Sequence, residues 1–523
     1  MPQDDRAFQT VIFCKFMKVL AKEFVVKIIA MGGLPVIALV KEIYLVRFGK
    51  LFGYSKPVVG RAEKAMQDDE RLPLPGFAKE QFHDAKILGK SIRDIFAAGQ
   101  PQKTKADLNC LNRMMELSNG VYTIQGIEVT SLCREFGTPV YVYDGQKIID
   151  QLKSLKNAFS ETGVRVQFAA KALTNISILK LLKRNGAGVD VVSINEARLA
   201  LRAGFAPEEI MFTPNCVDFE EIVEGVELRL NINLDNLSVL EKFGQKYGSN
   251  YPCCVRLNPH IMAGGNYKIS TGHSNSKFGI SVYQLPQIMQ IAEQYRIVIN
   301  GLHIHTGSEI TETNVFVKMA EILFGIARDF PALKFIDFGG GFKVAYKEGD
   351  IVTNVYDLGL KLGKSFKEFY HNYGRKLELW IEPGKYLVSE AGYLLVKTNV
   401  VKSTPSVTFV GVNSGLNHLI RPMMYDAYHE IVNVSNPTGL QKIYTVVGTI
   451  CETDTLGADR KLNEVREGDI LAIKNAGAYG YSMASNYNSR FRPPEVLIVN
   501  GEAKLIRKRD TWEDLIRGQV EVD

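Results

Sequence analysis

The sequence predicts an α/β chain, a closed (β/α)8 barrel of the TIM type followed by a C-terminal all-β domain and preceded by an N-terminal extension. Three observations predict it. Between residues 165 and 384, short apolar runs alternate with helical patterns, and such alternation implies parallel strands joined by right-handed crossovers. After residue 395 the helical signal fades while strand-like runs continue. Residues 1–114 differ from both in charge and patterning.

The extension holds 19 Lys+Arg and 12 Asp+Glu, leaving 44 and 45 for the remainder, so the net charge of +6 resides in the extension. Its apolar stretch "VVKIIAMGGLPVIALVKEIYLV" is broken by Lys27, Lys41 and Glu42. The longest uninterrupted run, Ile28 to Val40, is shorter than the roughly 20 residues a membrane helix needs. No small-residue cleavage site marks a signal peptide. A basic amphipathic helix on a membrane surface is the alternative reading. Residues 61–107 are polar and aperiodic, as in a linker. Well-patterned sequence begins at Met115, so the first 114 residues are expected to be dispensable, or a start-site artefact. The expected division is 1–114 extension, 115–150 strands joining the β domain, 151–395 barrel and 396–523 β domain.

The barrel runs are RVQFAAKA (165–172), GVDVVS (188–193), IMFTP (210–214), LRLNIN (228–233), PCCVRLNP (252–259), INGLHIHTG (299–307), KFIDFGGG (334–341) and LELWIEPG (377–384). Between them, "NISILKLLKRNG" spaces Ile176, Leu179 and Lys183 as a helix that stops on Gly186. "SINEARLALRAG" opens on Ser193 and Glu196 as a capping box and stops on Gly204. Eight such units favour closure over an open doubly wound sheet. Downstream, LLVKTNVVKS, VTFVGVNSG, EIVNVS, KIYTVVGTI, DILAIKNAG and EVLIVNGEAKLIRKR read as strands, with Asn500-Gly501 as a hairpin turn. VYTIQGIEV and TPVYVYD, within 120–143, are strand-like too.

Partner classes narrow with composition. The body outside the extension is nearly neutral, which argues against a nucleic-acid surface. Seven scattered cysteines with no CxxC spacing imply a reducing, cytoplasmic setting without a disulfide framework. Adjacent Cys253 and Cys254 read as core thiols.

In a barrel the active site lies at the C-terminal strand ends. Those ends carry Lys171, Asp190, His305, Ser308, Gly339-Gly340-Gly341 and Glu382-Pro383-Gly384-Lys385. A lysine there suits a Schiff base, with a carbonyl substrate or with pyridoxal phosphate (PLP). PLP needs a phosphate cradle, which the glycines, Ser308 and Tyr479 can offer, although three glycines alone also make a tight turn. It also needs a partner for its pyridine nitrogen, for which Glu382 is the candidate. A carboxylate there favours carbanion chemistry such as decarboxylation over racemisation. His303 and His305 invite a metal reading. Alternate strand residues share a face, however, and no cysteine or carboxylate cluster near them is visible in the sequence, so no metal is expected.

The motifs FAAKA, GAGVDVVSINEA, SKFGI, GLHIHTGSEI, DFGGGF, EPGKYLVSEAG, IRPMMYDAYHEI, CETDTL and GAYGYSMASNYNSRFRPPEVL occur in this order. Over roughly 115–520 the chain resembles the fold type III, alanine-racemase-like PLP decarboxylases, and among them the diaminopimelate decarboxylase family. The resemblance implies decarboxylation of meso-2,6-diaminopimelate to L-lysine and CO2, the last step of lysine biosynthesis. It implies Lys171 as the Schiff-base lysine, with Asp190 near it and His305 stacked on the cofactor ring. Ser308, Gly340, Gly341 and Tyr479 would hold the phosphate, and Glu382 the ring nitrogen. Arg421, Tyr425 and Glu452 would grip the distal end of the substrate, with Tyr479 and Lys385 also in reach. Cys451 would be the proton donor. Cys451 and Glu452 would come from the partner subunit of a two-fold homodimer. One departure is Lys385, where the family usually has Arg, so the bidentate fork is lost. The alternatives are an ornithine, arginine or carboxynorspermidine decarboxylase of the same fold, or a non-catalytic PLP-binding relative.

Overall fold

The structure, a computed structural model, describes residues 115–261, 271–273 and 275–522. The extension, and the linker and membrane readings made for it, lie outside the described residues. Three short strands open the described chain: β1 (Glu116–Ser118), β2 (Val121–Ile124) and β3 (Ile127–Glu128), an antiparallel meander. β4 (Val140–Asp144) follows.

Then come β5 (Arg165–Ala169), β6 (Gly188–Val191), β7 (Ile210–Phe212), β8 (Asn231–Leu234), β9 (Cys253–Asn258), a short β10 (Ile280–Ser281), β11 (Ile299–Ile304), β12 (Phe335–Asp337) and β13 (Glu378–Ile381). All pairings among them are parallel. β13 pairs with β5 and β8 with β9, so eight strands close a ring and β10 hangs beside β9. Seven of the eight barrel strands fall within the runs the sequence marks, and the fourth, β8, ends one residue past its run at Leu234. The fourth is shorter than expected, because Leu228 caps the helix Phe219–Glu227 and Arg229 turns with φ 61° before β8 begins.

Strand period explains the layering. Outward residues such as Phe168, Val189, Phe212, Ile232, Val255 and Leu302 pack in the main core beneath the helices. Inward residues Met211, Cys254, Phe335 and Trp380 form a separate apolar plug. There the Phe335 and Trp380 rings stack with centroids 4.0 Å apart, and the Arg165 guanidinium lies 4.4 Å from the Trp380 centroid. Cys253 and Cys254 are both core thiols, one in each layer, and burial pushes Cys253 up to about 12.

Local signals set the helices. Asn175 caps Ile176–Arg184 by accepting from Ser177 N–H. Ser193 caps Ile194–Ala203 through Glu196 N–H, and Gly204 ends it in the left-handed region with φ 95°. The expected return arm of the capping box is displaced by one residue, since Glu196 accepts from Val192 N–H.

The β domain holds β14 (Gly392–Ser403), β15 (Thr408–Val412), β16 (Ile431–Asn433), β17 (Gln441–Val447), β18 (Thr455–Asn463), β19 (Ile470–Ile473), β20 (Glu495–Val499) and β21 (Glu502–Arg507). Its main sheet runs β18-β17-β15-β14-β4-β20-β21, and β4 sits between β14 and β20. β1–β3 form their own sheet, although Ile124 packs into the same apolar cluster as Val140, Leu395 and Val496. Asn500 and Gly501, both at positive φ, turn the β20–β21 hairpin. No helix among the described residues is long and apolar enough to cross a membrane.

Candidate active site

β5 ends at Ala169, and Lys171 sits in the 3-10 turn Ala170–Ala172 that follows, whereas the sequence run carried the strand through residue 172. The β domain clamps this turn: Tyr479 N–H and the Ser482 hydroxyl both donate to the Ala172 carbonyl, at 2.9 and 3.2 Å. Lys171 is exposed where it lines a small cleft at this end of the barrel. Burial acts to lower the pKa of this ammonium. Asp190, Tyr479 and Glu382 act against that, and the net shift is upward.

His305, Ser308, Gly341, Glu382, Pro383, Gly384, Lys385 and Tyr479 line the same cleft. Gly340 is part of the turn after β12, where Gly339 and Gly341 take φ of 63° and 101°. A Cβ on Gly340 would come 2.1 Å from the Glu382 carbonyl oxygen. The turn therefore packs directly against the backbone at the end of β13, where only glycine fits. Gly340 N–H donates to His305 Nδ1 at 3.3 Å, which leaves the other ring nitrogen to carry the proton. Burial, with Arg256 and Lys171 nearby, holds His305 well below the ordinary imidazole range, so the ring is neutral.

Asp190 is buried in β6. Burial and Glu382 raise its carboxyl well above the usual range, against Lys171 and a Thr213 hydrogen bond. Glu382 behaves in the opposite way. Burial pushes it up, but His303, Lys171 and His305 hold it below the ordinary carboxylate value.

Arg421 opens a short helix, Arg421–Tyr425, and is buried. It donates to the Tyr346 hydroxyl at 3.1 Å, and its guanidinium lies 5.5, 5.9 and 6.0 Å from the Tyr346, Tyr425 and Tyr479 ring centroids. It thus stands beside one wall of the cleft. Lys385 donates to Glu309 at 3.1 Å. Cys451 and Glu452 are not among the cleft residues. They are exposed together, with Glu452 accepting from the Tyr487 hydroxyl at 2.6 Å and Cys451 Sγ 3.9 Å from that hydroxyl. That hydrogen bond holds the Glu452 carboxyl below its ordinary range.

Arg256, Asp337, Asn233, Glu309 and Tyr346 escaped the sequence reading, and His303 was weighed there only as a metal ligand. His303, Asp337 and Glu382 offer ligand atoms all within 4.8 Å of one another, which corrects the expectation that no carboxylate cluster stands near the histidine pair. The missed signal was the one that marked Lys171: a lone polar residue in an apolar strand, as with Arg256 in PCCVRLNP.

Residues 145–389 match the family described as pyridoxal-dependent decarboxylase, pyridoxal binding domain. The chain is 37% identical over 410 residues to the diaminopimelate decarboxylase of Methanothermobacter thermautotrophicus, covering 76% of this chain and 96% of that one. It belongs to the diaminopimelate decarboxylase family. The crystal structure of diaminopimelate decarboxylase from M. jannaschii in co-complex with L-lysine superposes with a TM-score of 0.73 at 32% identity, over 79% of this chain and 98% of that one. The lysine/ornithine decarboxylase of Vibrio vulnificus, complexed with putrescine, shares the fold at 22% identity with a TM-score of 0.63, over 72% of this chain and 98% of that one.

The cofactor of this family is PLP, and the residues fit it. Glu382 Oε1 is buried without an N–H or O–H donor among the described residues, as an acceptor for a pyridinium N–H must be.

Proposed function

We propose that this chain decarboxylates meso-2,6-diaminopimelate to L-lysine and CO2. The observation that carries the reading is a cleft in which one lysine, one low-pKa carboxylate and a glycine cradle converge beside a buried arginine. Bound PLP supplies an electron sink for the carbanion left at Cα when CO2 departs.

The residues do the rest. Lys171 would hold the cofactor covalently, Ser308, Gly340, Gly341 and Tyr479 would hold its phosphate, Glu382 would pair with its pyridine nitrogen, and neutral His305 would cover its ring. Arg421, flanked by Tyr425, offers a planar fork to the distal carboxylate, and Glu452 a negative charge to the distal ammonium. Ornithine and lysine lack that carboxylate. Cys451 delivers the proton to Cα. Because Cys451 and Glu452 stand outside the cleft of their own chain, a two-fold homodimer in which each chain completes the other's site is part of the proposal.

The catalytic unit in this reading begins at residue 115, with the expected barrel-to-β boundary at 395/396 moved ahead of β14, which opens at Gly392, and with β4 as the strand of 115–150 that joins the β-domain sheet. A cytoplasmic setting is supported by five free cysteines among the described residues.

The test is CO2 release by PLP-loaded protein offered meso-diaminopimelate, ornithine, lysine and arginine in parallel. Release from diaminopimelate alone, abolished in Lys171→Ala, is expected. Release from ornithine or arginine instead would overturn the roles of Arg421 and Glu452.

A further inference from the structure

Below the cleft the barrel interior holds a buried polar layer that the functional reading has not used. His303 and Asp337 are each 1% exposed and Glu382 7%. Asn233, fully buried on β8, places Nδ2 2.8 Å from His303 Nδ1 and 3.3 Å from the Thr213 hydroxyl oxygen. An amide nitrogen only donates, so Nδ1 is the acceptor and His303 carries its proton on Nε2. That Nε2 stands 3.2 Å from Glu382 Oε2, off the ideal hydrogen-bond line. A proton on Nε2 also denies a metal ion the lone pair it would need there.

Asp337 Oδ1 accepts Gly339 N–H at 2.8 Å, which ties it to the start of the glycine turn. Its Oδ2, like Glu382 Oε1, has no N–H or O–H donor among the described residues. Two carboxylates this close in a buried interior do not both ionise. Glu382 has the His303 Nε2–H at 3.2 Å whereas Asp337 Oδ2 has no such donor, so the shared proton resides on Asp337. Consistently, burial and Glu382 raise the Asp337 carboxyl well above the usual range.

We propose that Asn233, His303 and Asp337 brace Glu382 from inside the barrel as the charged member of the carboxylate pair, making His303 and Asp337 positioning residues for the contact to the cofactor's pyridine nitrogen. The inference rests on the PLP reading. It deepens it by naming which protons surround Glu382: one from His303 Nε2 and one from Asp337 Oδ2. The carboxylate offers four lone pairs, enough for both and for the pyridinium N–H.

The experiment titrates apoprotein with PLP and with the analogue in which CH replaces the pyridine nitrogen, and reads the ratio of dissociation constants. Wild type should prefer PLP by roughly tenfold or more, the scale of a charge-assisted hydrogen bond. His303→Leu should narrow the ratio to within about twofold, while His303→Gln, whose amide can donate to Glu382 and accept from Asn233, keeps most of it. Asp337→Asn should keep the preference, since its amide mimics the protonated acid, and Asp337→Ala should lose it. A wild-type ratio in folded His303→Leu overturns the brace, as does Asp337→Asn behaving like Asp337→Ala. A wild-type protein that binds PLP without preferring it over the analogue sinks the nitrogen contact and the brace, but leaves the cofactor assignment standing. Failure to bind PLP at all would sink both.

Discussion

Lys385 stands where this family usually has arginine, and its partner is close at hand. Glu309 lies 3.1 Å away, and the two side chains are 7% and 26% exposed. A point-like ammonium can be neutralised by one carboxylate, whereas a guanidinium fork would reach two acceptors. Lys385→Ala leaves an uncompensated acid next to Ser308, so PLP should bind about tenfold more weakly while Lys385→Arg stays within about threefold, as measured by cofactor titration. Single residues also set the acid limit. His418, 3% exposed, sits between the Ser414 hydroxyl and the Phe491 carbonyl, both at 3.0 Å. Burial chiefly lowers it to about 4. Unfolded, it takes up a proton near pH 6.5. Between those values the unfolded chain binds more protons, so stability present above about pH 6.5 is lost as the pH falls, at about 1.4 kcal/mol per unit. His429, lowered to about 3, adds to the same slope. Urea midpoints should therefore fall from pH 6.5 to 4, and fall less steeply in His418→Gln. An unchanged slope in that variant would remove His418 from the account.

Elements of the β domain reach the lysine turn through one buried charge. Glu495 on β20 is fully buried and accepts from the Tyr143 hydroxyl at 2.8 Å, Asn175 Nδ2 at 2.9 Å and Arg507 Nε. Asn175 is also the cap of the helix that follows Lys171. Glu495→Leu strands three donors and should cost about 3–5 kcal/mol, seen as a lower denaturation midpoint, where an exposed substitution such as Glu502→Leu costs almost nothing. Such links explain what the sequence could and could not reveal. The eight barrel strands were legible because strands covered on both faces read as continuous apolar runs. β18 was missed: "TLGADRKLN" lies at the end of its sheet, and its polar middle residues face outward. The cleft residues were legible because polar groups and glycines gather at strand ends. The Asn233–His303–Asp337 layer was not, because each of these stands on a different strand and only barrel closure brings them together. Likewise Lys385 showed its charge but not its partner, 76 positions away.

The whole molecule in one copy lacks the thiol at its own cleft. Cys451 is exposed with Glu452, Tyr487 and Asn488 around it. The same part of the chain exposes Met423, Met424, Tyr487 and Phe491, large apolar side chains suited to burial in an interface. If each site takes Lys171 from one chain and Cys451 from the other, the two residues should complement between subunits. Lys171→Ala and Cys451→Ala homodimers are each expected to be nearly inactive. When the two are unfolded together in equal amounts and refolded, half of the dimers are hybrids. Each hybrid has one site with both residues intact and one with neither, so activity should recover to roughly a quarter of wild type. With both residues drawn from one chain, every site in the mixture would lack one of them and no activity would return. Sedimentation of the mixture as a dimer ensures that a null result reports site composition and not failed assembly.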